Sequence, residues 1–169
     1  MHAARNAIAM VILVMGTTGA GKTTVGKLIT DRLGWIFLDA DDFHPPANIE
    51  KMKHGIPLAD ADRTPWLANI HARLVQLATE GKNAILACSA LKQSYRDTLS
   101  ADLDFRVVYL RGTYEQMRQH ILARHGHFAG ESILAGQFAD LEEPRDALAI
   151  DVVGTPDEIA NQAIEKLNL

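Results

Sequence analysis

The chain has 169 residues and a mass of 18.5 kDa, enough for one hydrophobic core that needs no disulfide or metal staple. Its 47% hydrophobic and 22% charged residues exclude a disordered tail or a collagen-like repeat. A net charge of −4 and a pI near 5.9 give no whole-molecule attraction to nucleic acid or to an anionic membrane surface, and the one cysteine, Cys88, suits the reducing cytoplasm.

The opening MHAARNAIAMVILVMG joins a basic residue to an apolar run, as a signal peptide would. The run over 8–15 is too short to span a bilayer and leads into a glycine-rich loop with no small-residue cleavage site, so a buried first strand over 10–15 is expected. A helix over 22–33 follows, with Val25, Leu28, Ile29 and Leu33 on its apolar face and Gly34 placed to end it. Residues 35–38 read as a short second strand that exits into the acidic run Asp39, Asp41, Asp42, and 46–54 as a brief helix closed by Gly55. Thr64 and Pro65 predict an N-cap and first helical position, opening a helix that turns Leu67, Ile70, Leu74 and Leu77 inward and stops near Gly81. Residues 84–88 and 105–110 predict strands three and four, separated by the segment SALKQSYRD, and a helix is expected from about 114 to 124. The glycine-punctuated stretch 125–136 reads as a mobile flap, 147–153 as a fifth strand, and Thr155, Pro156 and Glu158 as the capping box of a terminal helix. Strand-like and helix-like stretches thus alternate throughout, which predicts an α/β fold with a mainly parallel five-stranded sheet in one domain over 1–169.

The strongest chemical signal is GTTGAGKT at 16–23, a G-x-x-x-x-G-K-[ST] match lying between a predicted strand and a predicted helix. Gly16, Gly19 and Gly21 let the backbone curl so that successive N–H groups, from Thr17, Thr18 and Ala20 through to Thr24, face phosphate oxygens beside a helix start. Lys22 would reach the β- and γ-phosphates as a point charge, and the Thr23 hydroxyl would ligate the bridging Mg²⁺. Such a loop is shared by kinases, switch GTPases and motors. The chain has no N-K-x-D guanine-reading segment, and its third strand ends Ala87, Cys88, Ser89 where a motor usually has an aspartate. The carboxylates instead follow strand two, at the sheet edge where parallel α/β folds bind ligands. Asp39 and Asp41 alternate along an extended chain, so one can serve the metal shell while the other accepts the proton of an attacking hydroxyl.

Beyond the loop, the runs DADDFHPPANIEKMKHGIPLADADRTPWL (39–67), CSALKQSYRDTL (88–99), RHGHF (124–128) and QFADLEEP (137–144) resemble the signature blocks of the gluconate kinase (gluconokinase) family, in the family's order and across most of the chain. The resemblance implies a three-layer, nucleoside-monophosphate-kinase-like P-loop NTPase fold with a lid over about 124–142, a homodimer, and transfer of the ATP γ-phosphoryl group to the 6-hydroxyl of D-gluconate. By similarity to sugar-type P-loop kinases, Asp41 is expected to be the general base and Asp39 to serve the metal. Arg63, Lys92 and Arg96 are the cations available for the gluconate carboxylate, with Arg the better bidentate clamp and Lys the better point charge. His44 and Asn48 are candidates for the hydroxyls, and His127 and Gln137 complete the expected substrate contacts. Arg124 is expected to close over the transferring phosphate. The chain departs from the family pattern at His120, where a second lid arginine is usual, and at Ala129 and Gly130, where a bulkier residue and a proline are expected. A neutral imidazole at 120 predicts weaker phosphate neutralisation. Cys88 reads as a small buried hydrophobe, His125 and His127 lack the further ligands a metal pair needs, and Trp66 is assigned to the core. Two alternatives stand beside this reading: a shikimate-kinase-type enzyme, disfavoured by the lack of a Gly-Gly-Gly turn after strand three, and a nucleotide-binding regulatory module without turnover, disfavoured by the intact Lys22, Thr23, Asp41 and Arg124 set.

Overall fold

The computed structural model describes residues 8–125 and 131–169. Five parallel strands, β1 (Met10–Met15), β2 (Ile36–Asp39), β3 (Ala84–Ala87), β4 (Asp104–Arg111) and β5 (Leu148–Asp151), form one sheet in the order β2-β3-β1-β4-β5. The helices are α1 (Lys22–Leu33), α2 (Pro46–Lys53), α3 (Asp60–Thr79), α4 (Gln93–Ser100), α5 (Tyr114–His125), α6 (Glu131–Asp140) and α7 (Pro156–Lys166).

β1 reads as a continuous apolar run because both of its faces are covered. Ile12 and Val14 turn toward α1, α5 and α7, joining Val25, Ile29, Met117, Ile159 and Ala163 in one core. Val11, Leu13 and Met15 turn the opposite way, joining Trp66, Leu67, Ile70, Leu74 and Leu77 of α3 and Leu99 of α4 in the other. Gly34 ends α1 in the left-handed region, at φ 68°, with its N–H donated to the Thr30 carbonyl at 2.8 Å. The expected capping box of α7 is present, with Thr155 Oγ1 accepting from Glu158 N at 3.2 Å.

Three expectations are corrected. α3 starts at Asp60 rather than at Thr64: the Asp62 carboxylate accepts the Ala59 N–H at 2.8 Å, capping the helix a turn earlier, and Pro65 lies inside it. The Ala61 carbonyl, whose usual helical donor Pro65 lacks, belongs to an exposed residue. The segment after β3, for which no helix was expected, forms α4. The flap expected over 125–136 is in part helix α6, which runs through Gly136 because Leu134 is fully buried in the core and Phe138 packs edge-on against Tyr114 at 5.5 Å. Packing here overrides the glycine's low propensity. Residues 126–130, which carry the remainder of the flap with Ala129 and Gly130, lie outside the described residues.

Candidate active site

β1 delivers the chain to the carboxyl edge of the sheet between β3 and β4, the point where the strand order reverses and α/β folds bind ligands. There residues 16–21 curl back into α1. Gly19 and Gly21 hold φ of 85° and 88°, and a Cβ on Gly19 would fall 2.9 Å from the Met117 carbonyl oxygen of α5. Glycine is therefore needed at position 19 both for the curl and for the approach of α5. The loop's polar groups are engaged from three sides: Ala20 N and Lys22 Nζ donate to the Thr17 carbonyl at 3.2 and 3.1 Å, Thr18 N donates to Gln137 Oε1 at 2.6 Å, and His120 Nδ1 lies 2.9 Å from the Gly19 carbonyl oxygen. Since a carbonyl only accepts, His120 donates there from Nδ1. The side chains of Thr17 and Ala20 are buried, so these two residues offer backbone alone, and Gly16 is sealed beneath Leu110.

The loop borders a cleft of about 300 Å³ lined by Thr18, Gly19, Gly21, Lys22, Thr23 and Thr24 together with Asp39, Asp41, Cys88 and Arg124. Asp39 ends β2 and its Oδ1 accepts the Asp41 N–H at 3.0 Å, which closes a short 3-10 turn over Ala40–Phe43 and sets the two carboxylates side by side. Trp66 pins that turn by donating its indole N–H to the Ala40 carbonyl at 2.7 Å. Burial, and then the neighbouring Asp39 charge, raise the Asp41 carboxyl above its ordinary range. Burial lowers the Lys22 ammonium, against the opposing pull of Asp41 and Asp39.

A second cleft of about 910 Å³ opens beside the first, and Asp41, Ser89 and Gln137 line both. His44 forms one wall, stacked on Trp66 with ring centroids 4.5 Å apart and planes 8° from parallel. Asn48 Nδ2 reaches His44 Nδ1 at 3.3 Å; an amide nitrogen only donates, so Nδ1 accepts and the ring proton sits on Nε2. Burial holds His44 below the usual histidine range, against the pull of Asp41, which keeps the ring neutral. Arg63, Lys92 and Tyr95 line the same cleft and gather around Asp60.

The structure thus brings Lys22, Thr23, Thr24, Asp39 and Arg124 to one cleft, His44, Arg63 and Lys92 to the other, and Asp41 and Gln137 to both. Two of the residues picked from sequence are elsewhere. Arg96 is buried and spends its guanidinium on the carbonyls of Ala90, Leu91 and Glu142, at 2.7, 3.1 and 2.7 Å, and on Gln93 Oε1. Together with the Glu142 N–H, which donates to the Leu91 carbonyl at 2.8 Å, it fastens the loop after β3 to the segment after α6. Asn48 is buried too and holds His44 and the Asp62 carbonyl, the latter at 2.9 Å. His127 lies outside the described residues. Cys88 is the buried thiol expected, pushed up to about 12 by desolvation. Ser89, Tyr95 and Asp60 were not singled out as site residues. Ser89 follows the end of β3, where the strand-exit rule would have found it, while Tyr95 and Asp60 carry no signal apart from the fold.

A glycine curl aimed at phosphate, a lysine at its base, paired carboxylates at the next strand exit and a polar cleft beyond them define a P-loop phosphotransferase acting on a small molecule. Residues 11–144 match the AAA domain family. The chain is 40% identical to a probable gluconokinase of Rattus norvegicus over 93% of its own length and 97% of that protein's, and 46% identical to a gluconokinase of Gluconobacter oxydans over 80% and 76%. A solved gluconokinase from Sinorhizobium meliloti superposes with a TM-score of 0.86 at 39% identity, covering 95% of this chain and 93% of that one. The chain belongs to the gluconokinase family. At 20% identity and a TM-score of 0.71, the Mycobacterium tuberculosis APS kinase shares the fold alone.

Proposed function

We infer that the protein transfers the γ-phosphoryl group of ATP to the 6-hydroxyl of D-gluconate, giving 6-phospho-D-gluconate and ADP. The observation that carries this reading is the junction of the two clefts at Asp41, the position at which a hydroxyl held in the larger cleft faces a phosphate held by the loop. Kinship with the gluconokinases favours an aldonate over the shikimate-kinase-type acceptor.

In this reading the loop amides and Lys22 hold the triphosphate, and Arg124 faces it from across the small cleft. The Asp41 carboxylate takes the proton of the 6-hydroxyl as its oxygen bonds to the γ-phosphorus and the bond to the β–γ bridging oxygen breaks, leaving ADP. A carboxyl raised above its ordinary range is a stronger base than a free one. His44 offers Nε2–H to a substrate hydroxyl, and Arg63, Lys92 and Gln137 supply further polar contacts. The donors fit a magnesium ion: no cluster of three or more metal-binding side chains exists among the described residues, while Thr23 and Asp39 both line the phosphate cleft, and Mg²⁺ takes few protein ligands beside phosphate oxygens. Thr23 and Asp39 would hold it, and its charge would neutralise the β- and γ-phosphates. The reading includes a homodimer in the cytoplasm, the location supported by the single buried thiol of Cys88.

ADP release from ATP and Mg²⁺, followed by a coupled assay, tests this function. D-gluconate is expected to stimulate release far above the rate with ATP alone. Stimulation by a different hydroxy acid and none by gluconate would overturn the substrate and keep the class.

A further inference from the structure

The lining of the acceptor cleft holds two cations, Arg63 and Lys92, and the structure treats them differently. Lys92 Nζ lies 3.1 and 3.3 Å from the two oxygens of Asp60, so its charge is already matched. That contact raises the Lys92 ammonium above its ordinary range. Arg63 is engaged at one nitrogen only. Its Nη1 donates to the Tyr95 hydroxyl at 3.2 Å and stands 3.7 Å from Asp60 Oδ1, while Nε and Nη2 make no hydrogen bond among the described residues. The Tyr95 hydroxyl in turn donates to Asp60, and its ring lies 5.7 Å from both the guanidinium carbon and Lys92 Nζ. Arg63 is thus held along one side and keeps a free Nε–Nη2 edge, the fork that accepts a carboxylate through two parallel hydrogen bonds. Counting charge, Arg63, Lys92 and Asp60 sum to +1, which one carboxylate neutralises; Asp140, further along the cleft, acts more weakly on Lys92.

We propose that Arg63 is the clamp for the acid end of the substrate, and that Tyr95 and Asp60 are positioning residues that fix its guanidinium while Asp60 withdraws Lys92 from the competition. The proposal rests on the aldonate reading above. Placing the acid end at Arg63 and the reacting hydroxyl at Asp41 sets the substrate along the cleft between them. Asp60 makes the seat selective: within the Arg63, Lys92 and Asp60 group it leaves one positive charge, carried on the free edge of Arg63, which a carboxylate answers and a neutral polyol does not.

D-gluconate and D-glucitol, the same carbon chain with an alcohol in place of the acid, separate this role from general damage. Arg63→Lys keeps the charge and loses the fork, and is expected to raise the KM for gluconate at least about tenfold, with kcat within about threefold and the KM for ATP within about twofold. Tyr95→Phe releases Nη1 and is expected to raise it about threefold. The inhibition constant of D-glucitol against gluconate should stay within about twofold of wild type in both variants, since it has no carboxylate to lose. A gluconate KM within twofold of wild type in Arg63→Lys, or a glucitol constant that worsens in parallel with it, overturns the proposal. Should Arg63→Lys fail to fold, Tyr95→Phe decides by the same two numbers. If the wild-type enzyme turns over another aldonate and not gluconate, the substrate reading fails, and that acid compared with its own alditol still decides the role of Arg63.

Discussion

Replacing Asp41 by Asn tests the centre of the mechanism with little disturbance to the fold. The Asp41 side chain makes no hydrogen bond among the described residues; the bond that closes the turn runs from its backbone N–H to Asp39 and survives the change. What is lost is the proton acceptor. A positioned general base contributes about 10²–10⁴ in rate, or about 3–5 kcal/mol of barrier, so kcat is expected to fall by that factor while the KM for ATP stays within about threefold. The pH profile carries a second signature. Burial and Asp39 raise the Asp41 carboxyl, so the acidic limb of kcat/KM should lie above the ordinary carboxylate value and disappear in the variant. Stability supplies a third. A carboxyl whose folded value lies above its unfolded one favours the protonated fold, so its ionisation weakens the fold as pH rises through the raised value. Asp41→Asn should therefore melt no lower than wild type at pH 7. Steady-state kinetics from pH 4.5 to 8.5 together with a thermal melt read all three. A kcat within threefold of wild type, or an acidic limb that persists unchanged, would refute the assignment.

Lys22→Ala removes the charge facing the β- and γ-phosphates, and single-turnover assays should show transfer slowed by about 10² or more. Arg96→Ala strips buried carbonyls of their donors; chemical denaturation should show a loss of about 2–4 kcal/mol, with the KM for gluconate within twofold of wild type. Trp66→Phe leaves the Ala40 carbonyl without its 2.7 Å partner and should cost about 1–3 kcal/mol, read by the same denaturation. Chelating divalent cations should reduce gluconate-dependent ADP release to background, and added Mg²⁺ should restore it.

The order of elements was legible because the physics is local. β1 is apolar on consecutive positions, α1 opens at a glycine curl and closes at Gly34, and α7 carries its cap in three residues. The loop and the Asp39–Asp41 turn were legible for the same reason, since their chemistry is written in residues one to eight apart. What sequence misjudged turns on competing local signals or on distant partners. Pro65 looks like a helix start, yet the carboxylate that caps α3 stands three residues before it, at Asp62. Gly136 looks like a breaker, yet Leu134 and Phe138 on either side of it have core to enter. Arg96 and Arg63 are both arginines in blocks typical of the family, and only the fold shows that one is enclosed by carbonyls and the other faces a cleft.

His120 shows how a departure from a family pattern is to be weighed. On sequence it predicts a deficit of positive charge where an arginine is usual. In the fold its ring instead holds the carbonyl of Gly19, a residue packed so close to α5 that a Cβ there would fall 2.9 Å from the Met117 carbonyl oxygen. A trans peptide points its carbonyl and the next N–H in opposite directions. Fixing the Gly19 oxygen toward α5 therefore turns the Ala20 N–H into the curl, where it meets the Thr17 carbonyl that Lys22 also reaches. Imidazole thus trades charge on the phosphate for a fixed course of the loop backbone that lines the cleft. Charge and orientation are separate contributions to holding an anion, and a motif comparison registers only the first.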